Sequence, residues 1–215
     1  MKRHPTPPLA EIYADVANYY GAKVRRHGPT PLGVDWTNVP TQELRFVQLL
    51  KLVGRRRNFS INDVGCGYGA LLEFLRKRFP HAAIRYAGVD LAPEMIASAM
   101  ALHGSAADAG FSVGHQPAAP ADYCVASGIF NVKLYRSDAH WHDYVARTLG
   151  DMARASRKGF AANFLAPVAD GEGRQELYRV QPQVWLDYCK TELGCEAETA
   201  EGYGLAEFTL RAVIR

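Results

Sequence analysis

The sequence predicts an α/β protein with a Rossmann-like, doubly wound and mostly parallel seven-stranded sheet, a C-terminal antiparallel hairpin and an N-terminal helical cap. Three observations predict this class. Strand-like and helix-like segments alternate from Phe59 onward, a glycine-rich turn follows the first strand-like segment, and only EGYG separates the last two. Such alternation builds a parallel sheet with helices on both faces, and a short glycine turn joins antiparallel neighbours.

The first 55 residues predict the helical cap. Apolar side chains recur at helical spacing in a first short helix, at Leu9, Ile12, Tyr13, Val16, Ala17 and Tyr20. The Gly- and Pro-rich segment 21–36 predicts a loop. Thr41 is expected to cap a second helix, with core-facing residues at Leu44, Val47, Leu50 and Leu52.

Residues 59–215 predict the Rossmann-like core. The parallel strands are expected at FSINDV, AIRYAGVD, FSVGH, DYCVAS and GFAANFLA, and the closing hairpin at GCEAETA and LAEFTLRAVI. Helices are expected at LLEFLRKRF, at PEMIASAMALH, over 140–155 and over 182–192. No repeat or low-complexity linker interrupts the chain, so residues 1–215 are predicted to form a single domain.

Composition restricts the class of protein further. A chain of 215 residues, 48% hydrophobic and 22% charged, can bury one core but hardly two catalytic domains. The net charge of +3 comes from scattered Lys and Arg, which does not favour a nucleic-acid partner. Pro5, Pro7 and Pro8 stand where a signal peptide would be apolar, and no apolar run is long enough to span a membrane. We therefore expect a soluble, cytoplasmic protein without a membrane partner, and the sequence allows for a homodimer.

The four cysteines predict reduced thiols and no metal site. They form no CxxC pair and have no histidine at zinc-ligand spacing. Cys66 raises the alternative of a metal or redox group because it lies within the glycine turn, but the spacing supplies no second ligand. Cys66 and Cys124 are therefore expected to be small buried side chains at strand ends.

The stretch SINDVGCGYGA, residues 60–70, predicts a ligand site at the end of the first strand. Glycines let the backbone turn tightly beside a ligand, and the N–H groups that begin the next helix favour polar or anionic groups. GCGYGA fits both GxGxG and the GxGxxA form of the dinucleotide fingerprint. Asp90 follows Gly67 by 23 residues, where a carboxylate can bind ribose hydroxyls. NAD and S-adenosylmethionine (SAM) both carry such a ribose, so these residues leave both cofactors open.

The rest of the chain distinguishes NAD from SAM. A short-chain dehydrogenase would carry a Tyr-x-x-x-Lys pair downstream of the glycine turn, whereas the one such spacing here, Tyr19 to Lys23, lies upstream. DVGCGYG, GVDLAPEMIASA, ADYCVASGIFN and the closing hairpin, in this order, resemble the class I SAM-dependent methyltransferases over residues 59–215. The segment HGPTPLGVDWTNVPTQELRF is similar to the cap region of bacterial small-molecule members of that family.

The resemblance implies SAM as the cofactor and assigns residues to it. Asp63, Gly65 and Gly67 would hold the methionine moiety, Asp90 the ribose diol, and Leu91 with Met95 the adenine face. Arg45 would bind the SAM carboxylate through charge-assisted hydrogen bonds. Further cofactor contacts are expected from Tyr19, Trp36 and Ser127, since aromatic faces attract a sulfonium.

Two positions depart from the family pattern. Many members end the third strand in an Asp that accepts a hydrogen bond from the adenine amino group, whereas this chain offers His115. Ala92 stands where a Ser or Thr often caps the following helix, a loss of roughly 1 kcal/mol to that helix. The first departure leaves open how the adenine edge is recognised.

The acceptor of a methyl group is expected over the carboxyl ends of the first, fourth and fifth strands, near 127–131. This segment lacks the (D/N)PP(Y/F) turn of enzymes that methylate nucleic-acid amines, so a small-molecule substrate is predicted. Asn131 is expected to orient the acceptor and His27 to act as a base, with Tyr20 beside them and His140 and His142 as alternative bases. Substrate contacts are expected from Phe130, Trp141 and Tyr178.

The leading functional hypothesis is therefore a SAM-dependent methyltransferase that acts on O, N or S of a small metabolite. The alternative keeps the cofactor and changes the reaction, so that the amino nitrogen of SAM attacks its own side chain and forms azetidine-2-carboxylate and methylthioadenosine. A third hypothesis is a nicotinamide-dependent oxidoreductase or a non-catalytic SAM-binding module.

Overall fold

A computed structural model describes residues 9–104, 107–169 and 173–215. Pro5, Pro7 and Pro8 lie outside these residues. The helices are α1 (Leu9–His27), α2 (Val39–Leu50), α3 (Ala70–Arg78), α4 (Pro93–His103), α5 (Asp138–Arg154) and α6 (Pro182–Thr191), with a 3₁₀ turn at Pro31–Val34. The strands are β1 (Asn58–Val64), β2 (Ala83–Asp90), β3 (Ala109–Val113), β4 (Ala121–Ala126), β5 (Ser156–Leu165), β6 (Glu196–Ala200) and β7 (Glu207–Val213).

The seven strands form one sheet in the order β3-β2-β1-β4-β5-β7-β6. The first five strands pair in parallel, whereas β7 runs antiparallel to both β5 and β6. This arrangement confirms the predicted Rossmann-like fold and its closing hairpin, and it inserts the last strand between β5 and β6. The strand order reverses between β1 and β4, and the crevice beyond the carboxyl ends of such strands is where ligands bind in this class of sheet.

Helices cover both faces of the sheet because each face is apolar. On one face, Val64, Phe160 and Phe208 belong to a buried cluster with side chains of α1, α5 and α6. On the other face, Ile61 and Val125 pack with buried side chains of α2 and α3. Neither cap helix is a separate layer, since α1 and α2 each contribute to the core of one face.

Two features of the cap differ from the prediction. α1 continues through Gly21 to His27, because Gly21 is a packing position rather than a helix stop: a Cβ there would lie 2.7 Å from the Glu94 carboxylate of α4. α2 is capped by Asn38, whose Oδ1 accepts a hydrogen bond from the Thr41 N–H at 3.0 Å, rather than by Thr41.

The buried face of α2 also differs from the prediction. Val47 is 40% exposed, whereas Gln42, Arg45 and Gln48 are buried beside Leu49. Apolar periodicity predicted a different face because it treats polar residues as exposed. Gln42 and Arg45 are buried nevertheless, since each has a hydrogen-bond partner in a distant part of the chain.

Across the described ranges, no helix has both the length and the apolar composition that crossing a membrane requires.

Candidate functional site

The glycine turn after β1 lies at the strand-order reversal. Gly65 and Gly67 both adopt left-handed φ values, 71° and 54°, which favour glycine. The turn is fixed to the neighbouring strand, because the N–H groups of Gly65 and Cys66 donate to the Val89 carbonyl at 2.8 and 3.1 Å. A side chain at Gly65 would collide with Ile129, so only glycine allows Ile129 to pack this closely against the turn.

Asp90 ends β2 beside this turn. Its Oδ2 accepts a hydrogen bond from the Gly67 N–H and its Oδ1 accepts one from the Ala92 N–H, each at 2.9 Å. Burial raises the pKa of the Asp90 carboxyl, and these N–H donors oppose that rise. A carboxylate has about four acceptor positions, so Asp90 can still accept hydrogen bonds from a ligand in the crevice.

A cleft runs between the glycine turn, α1 and α5. It brings together eight of the predicted residues: Tyr20, Trp36, Gly65, Gly67, Asp90, Leu91, Met95 and Ser127. The same cleft is lined by Tyr13, His115, Tyr144 and Thr148, of which only His115 was singled out from the sequence.

One end of the cleft is aromatic. The His115 ring stacks on Tyr13 of α1, with ring centres 4.7 Å apart and planes 11° apart, and Tyr144 meets Tyr13 edge-on. His115 Nδ1 is buried and has no hydrogen-bond partner among the described residues. This end therefore offers flat apolar surface and one polar ring atom at the position where the family pattern has an Asp.

A small polar cavity lies beside the cleft and shares Gly65, Gly67 and Ser127 with it. Asp63 at the end of β1 accepts a hydrogen bond from the Tyr86 hydroxyl at 2.7 Å. The pKa of Asp63 is raised to about 7. Burial causes this rise, and the hydrogen bond from Tyr86 offsets part of it. This cavity is lined by Asp63, Ser127, Tyr68 and Gln42. The Tyr68 hydroxyl donates a hydrogen bond to Gln42 Oε1 at 3.1 Å. Sequence reasoning missed Gln42 and Tyr68, because the apolar pattern of α2 predicted that Gln42 lies off the buried face.

Arg45 lines neither the cleft nor the polar cavity beside it. Its Nε donates to Glu207 Oε2 at 2.7 Å, its Nη2 bonds the other Glu207 oxygen, and its Nη1 donates to the Thr41 carbonyl at 2.8 Å. The guanidinium also stacks 3.7 Å from the centre of the Trp36 ring. The predicted pairing with a cofactor carboxylate is replaced here by a buried ion pair with a side chain of β7, which fixes Trp36 from one side.

A second chamber adjoins the cleft on the far side of Trp36. It includes four of the predicted residues outside the cleft, Tyr19, His27, Arg45 and Asn131. The cleft and the chamber share four wall residues: Tyr20, Val34, Trp36 and Gly128. Gly128 has a φ of 77°, and a side chain there would collide with the Trp36 ring. The contact between Gly128 and Trp36 therefore forms the boundary between the two spaces.

Two of the predicted catalytic residues have distinct settings. Asn131 is 5% exposed, and its Oδ1 accepts no hydrogen bond from any described residue. Burial raises the pKa of the Tyr20 hydroxyl well above its ordinary value, so Tyr20 is protonated at neutral pH and suits a wall rather than a base.

Three predicted substrate residues lie in the core instead. Phe130, Trp141 and Tyr178 belong to the buried cluster between α1, α5 and the sheet, and none of them lines the cleft or the chamber as these are formed by the described residues. The Phe130 ring stacks on Phe164 at 4.9 Å, and Trp141 Nε1 donates to the Phe130 carbonyl at 2.8 Å. These side chains pack the loop after β4 against the core.

One of the alternative bases packs away from the cleft. His142, an alternative base, stacks on Trp185 with ring centres 4.6 Å apart. Cys66 and Cys124 are buried free thiols, as predicted, and burial raises the pKa of both.

Comparison with known proteins gives three kinds of match. A family model described as a methyltransferase domain matches residues 61–159. The protein named "Putative methyltransferase Rv1506c" from Mycobacterium tuberculosis is 39% identical over 162 residues, which cover 75% of this chain and 96% of the mycobacterial one.

Among solved structures, magnesium protoporphyrin IX methyltransferase (ChlM) from Synechocystis PCC 6803, with bound SAH, superposes with a TM-score of 0.66 at 15% identity, over 94% of this chain and 98% of the other. Human N-acetylserotonin methyltransferase (ASMT), in complex with SAM, gives a TM-score of 0.64 at 14% identity over 96% of this chain. This chain spans 59% of the length of the human enzyme.

Proposed function

This chain belongs to the class I SAM-dependent methyltransferase family, and from that premise we propose that it transfers a methyl group from SAM to O, N or S of a small molecule. The observation that carries the proposal is the shared wall. A cleft along the glycine turn and a separate chamber meet at Tyr20, Trp36 and Gly128, which is the arrangement that a transfer between two bound molecules requires.

The residues of the cleft fit the cofactor. Gly65 and Gly67 line the cleft without side chains, Asp90 can accept from ribose hydroxyls, and Leu91 with Met95 supplies apolar surface. The aromatic end suits adenine, with the unpartnered His115 Nδ1 as its polar contact. Asp63, Gln42 and Tyr68 suit the ammonium and carboxylate groups of the methionine moiety. When bound, SAM supplies an electrophilic methyl group on a sulfonium.

The protein's own residues then align the acceptor and exclude water. Trp36 and Tyr20 present aromatic faces at the boundary, which would attract the sulfonium of SAM and keep the boundary dry. Asn131 orients a polar group of the acceptor through its amide, and His27 accepts the proton that an O–H or N–H nucleophile releases.

Cyclisation of SAM is the alternative chemistry for the same cofactor. It uses one bound molecule and therefore needs no second chamber beyond the cleft. The chamber that begins at Trp36 and Gly128 supports transfer to a separate acceptor instead.

Two measurements test the proposal. Titration calorimetry is expected to show binding of SAM and of S-adenosylhomocysteine, and the absence of binding at millimolar ligand would refute the function. Incubation with SAM carrying a labelled methyl group, with and without a panel of phenols, amines and thiols, is expected to label an acceptor. Formation of methylthioadenosine in the absence of any acceptor would favour cyclisation.

A further inference from the structure

Resting on the proposed function, we propose that the second chamber takes an uncharged aromatic acceptor whose hydroxyl group hydrogen-bonds to the side-chain amide of Asn131. The chamber's charge, its wall and its unpartnered amide oxygen each support one part of this description.

The charged side chains that line the chamber are paired with one another. Lys23 Nζ lies 2.6 Å from Asp35 Oδ1, and Arg45 is bound by Glu207. The third pair, Arg174 with Glu176, is 3.5 Å apart and more exposed. Three positive and three negative groups thus cancel along the described wall, with His27 as an added imidazole. A charged acceptor would have to break one of these pairs or enter without a counter-ion, and both outcomes disfavour it.

The wall next to the cofactor cleft is aromatic. Tyr19 and Tyr20 meet edge-on with ring centres 5.1 Å apart, and Trp36 lines the same chamber at the boundary. The Tyr19 hydroxyl is already committed, because it donates to Asp35 at 2.7 Å. These rings therefore present apolar faces to the chamber, whose volume of about 480 Å³ accommodates a bicyclic ring system.

Asn131 supplies the polar contact. Its Oδ1 is buried without a hydrogen-bond donor from the described residues, and a buried acceptor left unpaired is unfavourable. A hydroxyl group can donate to Oδ1 and accept from Nδ2, so it satisfies both halves of the amide. A methyl ether can only accept.

This difference separates substrate from product. Once the hydroxyl oxygen carries a methyl group, the donor to Asn131 is gone and the amide is again unpaired. The hydroxyl compound should therefore bind about tenfold more tightly than its methyl ether, which corresponds to roughly 1.4 kcal/mol.

The test uses four fluorescent naphthalenes as probes of the full chain saturated with S-adenosylhomocysteine at pH 7. They are 2-naphthol, its anionic 6-carboxylate, its cationic 6-aminomethyl derivative and 2-methoxynaphthalene. Fluorescence titration is expected to give 2-naphthol an affinity about tenfold higher than that of each of the other three. Equal affinities, tighter binding of a charged analogue or no binding of 2-naphthol would overturn the inference.

Asn131→Leu tests the amide, and Asn58→Ala, at the exposed start of β1, serves as the matched control. The ratio of naphthol to ether affinity should fall to about twofold or less in Asn131→Leu and stay at about tenfold in Asn58→Ala. A tenfold ratio that persists in Asn131→Leu would remove Asn131 from the contact. If that variant fails to fold, the four wild-type affinities still decide the inference. Protein that does not bind S-adenosylhomocysteine would refute the proposed function itself, whereas protein that binds it without preferring 2-naphthol would refute only this inference.

Discussion

Asp63→Asn tests how burial controls the charge of the polar cavity beside the cleft. Asp63 is 2% exposed, and its pKa is raised from 3.8 to about 7 because the carboxylate is removed from water. A rise of this size corresponds to about 4 kcal/mol between the two protonation states. The folded chain thus keeps a proton on Asp63 that the unfolded chain releases above pH 3.8. The stability due to this group is complete below that pH and is lost as the pH rises toward 7.

The amide that Asp63→Asn introduces carries no titrating proton, while its oxygen can still accept the Tyr86 hydrogen bond. We therefore expect the wild-type free energy of unfolding to fall by about 3 kcal/mol more than that of Asp63→Asn between about pH 5 and pH 8, in the absence of cofactor. Urea denaturation followed by circular dichroism at both pH values measures this difference.

The control is Asp143→Asn, which replaces an exposed carboxyl on α5 and should follow the wild type at both pH values. The same loss of stability in wild type and Asp63→Asn would show that Asp63 is ionised at little cost in the folded chain. That result would refute the assigned role of burial.

Three further substitutions have defined outcomes. Asp90→Ala should lower SAM affinity by at least about tenfold in calorimetry, because charge-assisted hydrogen bonds to ribose hydroxyls are lost; unchanged affinity would exclude Asp90 from the site. Gly128→Ala and Gly202→Ala both place alanine at a positive φ, but only the first collides with Trp36. Both substitutions should cost about 1 kcal/mol of stability, because alanine is disfavoured at a positive φ. Gly128→Ala should in addition lower the rate of methyl transfer more than about tenfold relative to Gly202→Ala. Equal activities of the two variants would contradict the boundary described above. Arg45→Met should destabilise the chain by about 3–5 kcal/mol, since it leaves Glu207 buried without a partner. A second change, Glu207→Gln, should recover part of that loss in thermal unfolding, and failure to do so would indicate that packing against Trp36 dominates.

The sheet could be predicted from the sequence because its signals are local. The bounds of β2 and α4 match the predicted AIRYAGVD and PEMIASAMALH segments residue for residue. A strand or helix of this kind is specified by its own apolar period, its flanking turn and a first-turn proline such as Pro93. Asp90 could be placed for the same reason, since one strand-helix-strand step fixes its distance from the glycine turn.

The cap was harder to predict because its determinants are distant in sequence. Gly21 has the composition of a loop, and only the approach of Glu94, on a helix that follows later, explains why α1 continues. Gln42 and Arg45 are polar residues on the buried face of α2, and their partners Tyr68 and Glu207 come from other elements.

Aromatic residues show the same limit. Trp36 and Trp141 are chemically alike, yet one borders the cleft and the other is wholly buried in the core. Periodicity indicates that a side chain is covered, but it does not distinguish cover by a neighbouring helix from cover by a ligand. The Tyr13–His115 stack was missed for this reason, because it forms only where α1 meets the end of β3.

The pair between Arg45 and Glu207 has a consequence for biosynthesis. The two residues are 162 positions apart, so Arg45 leaves the ribosome long before its counter-ion exists. Burying a guanidinium without a partner is unfavourable. We therefore expect α2 and Trp36 to reach their packed positions only after β7 has entered the sheet between β5 and β6. We expect a nascent chain stalled before Glu207 to leave its tryptophan boundary open to solvent, and cofactor binding to begin only when translation has delivered the seventh strand.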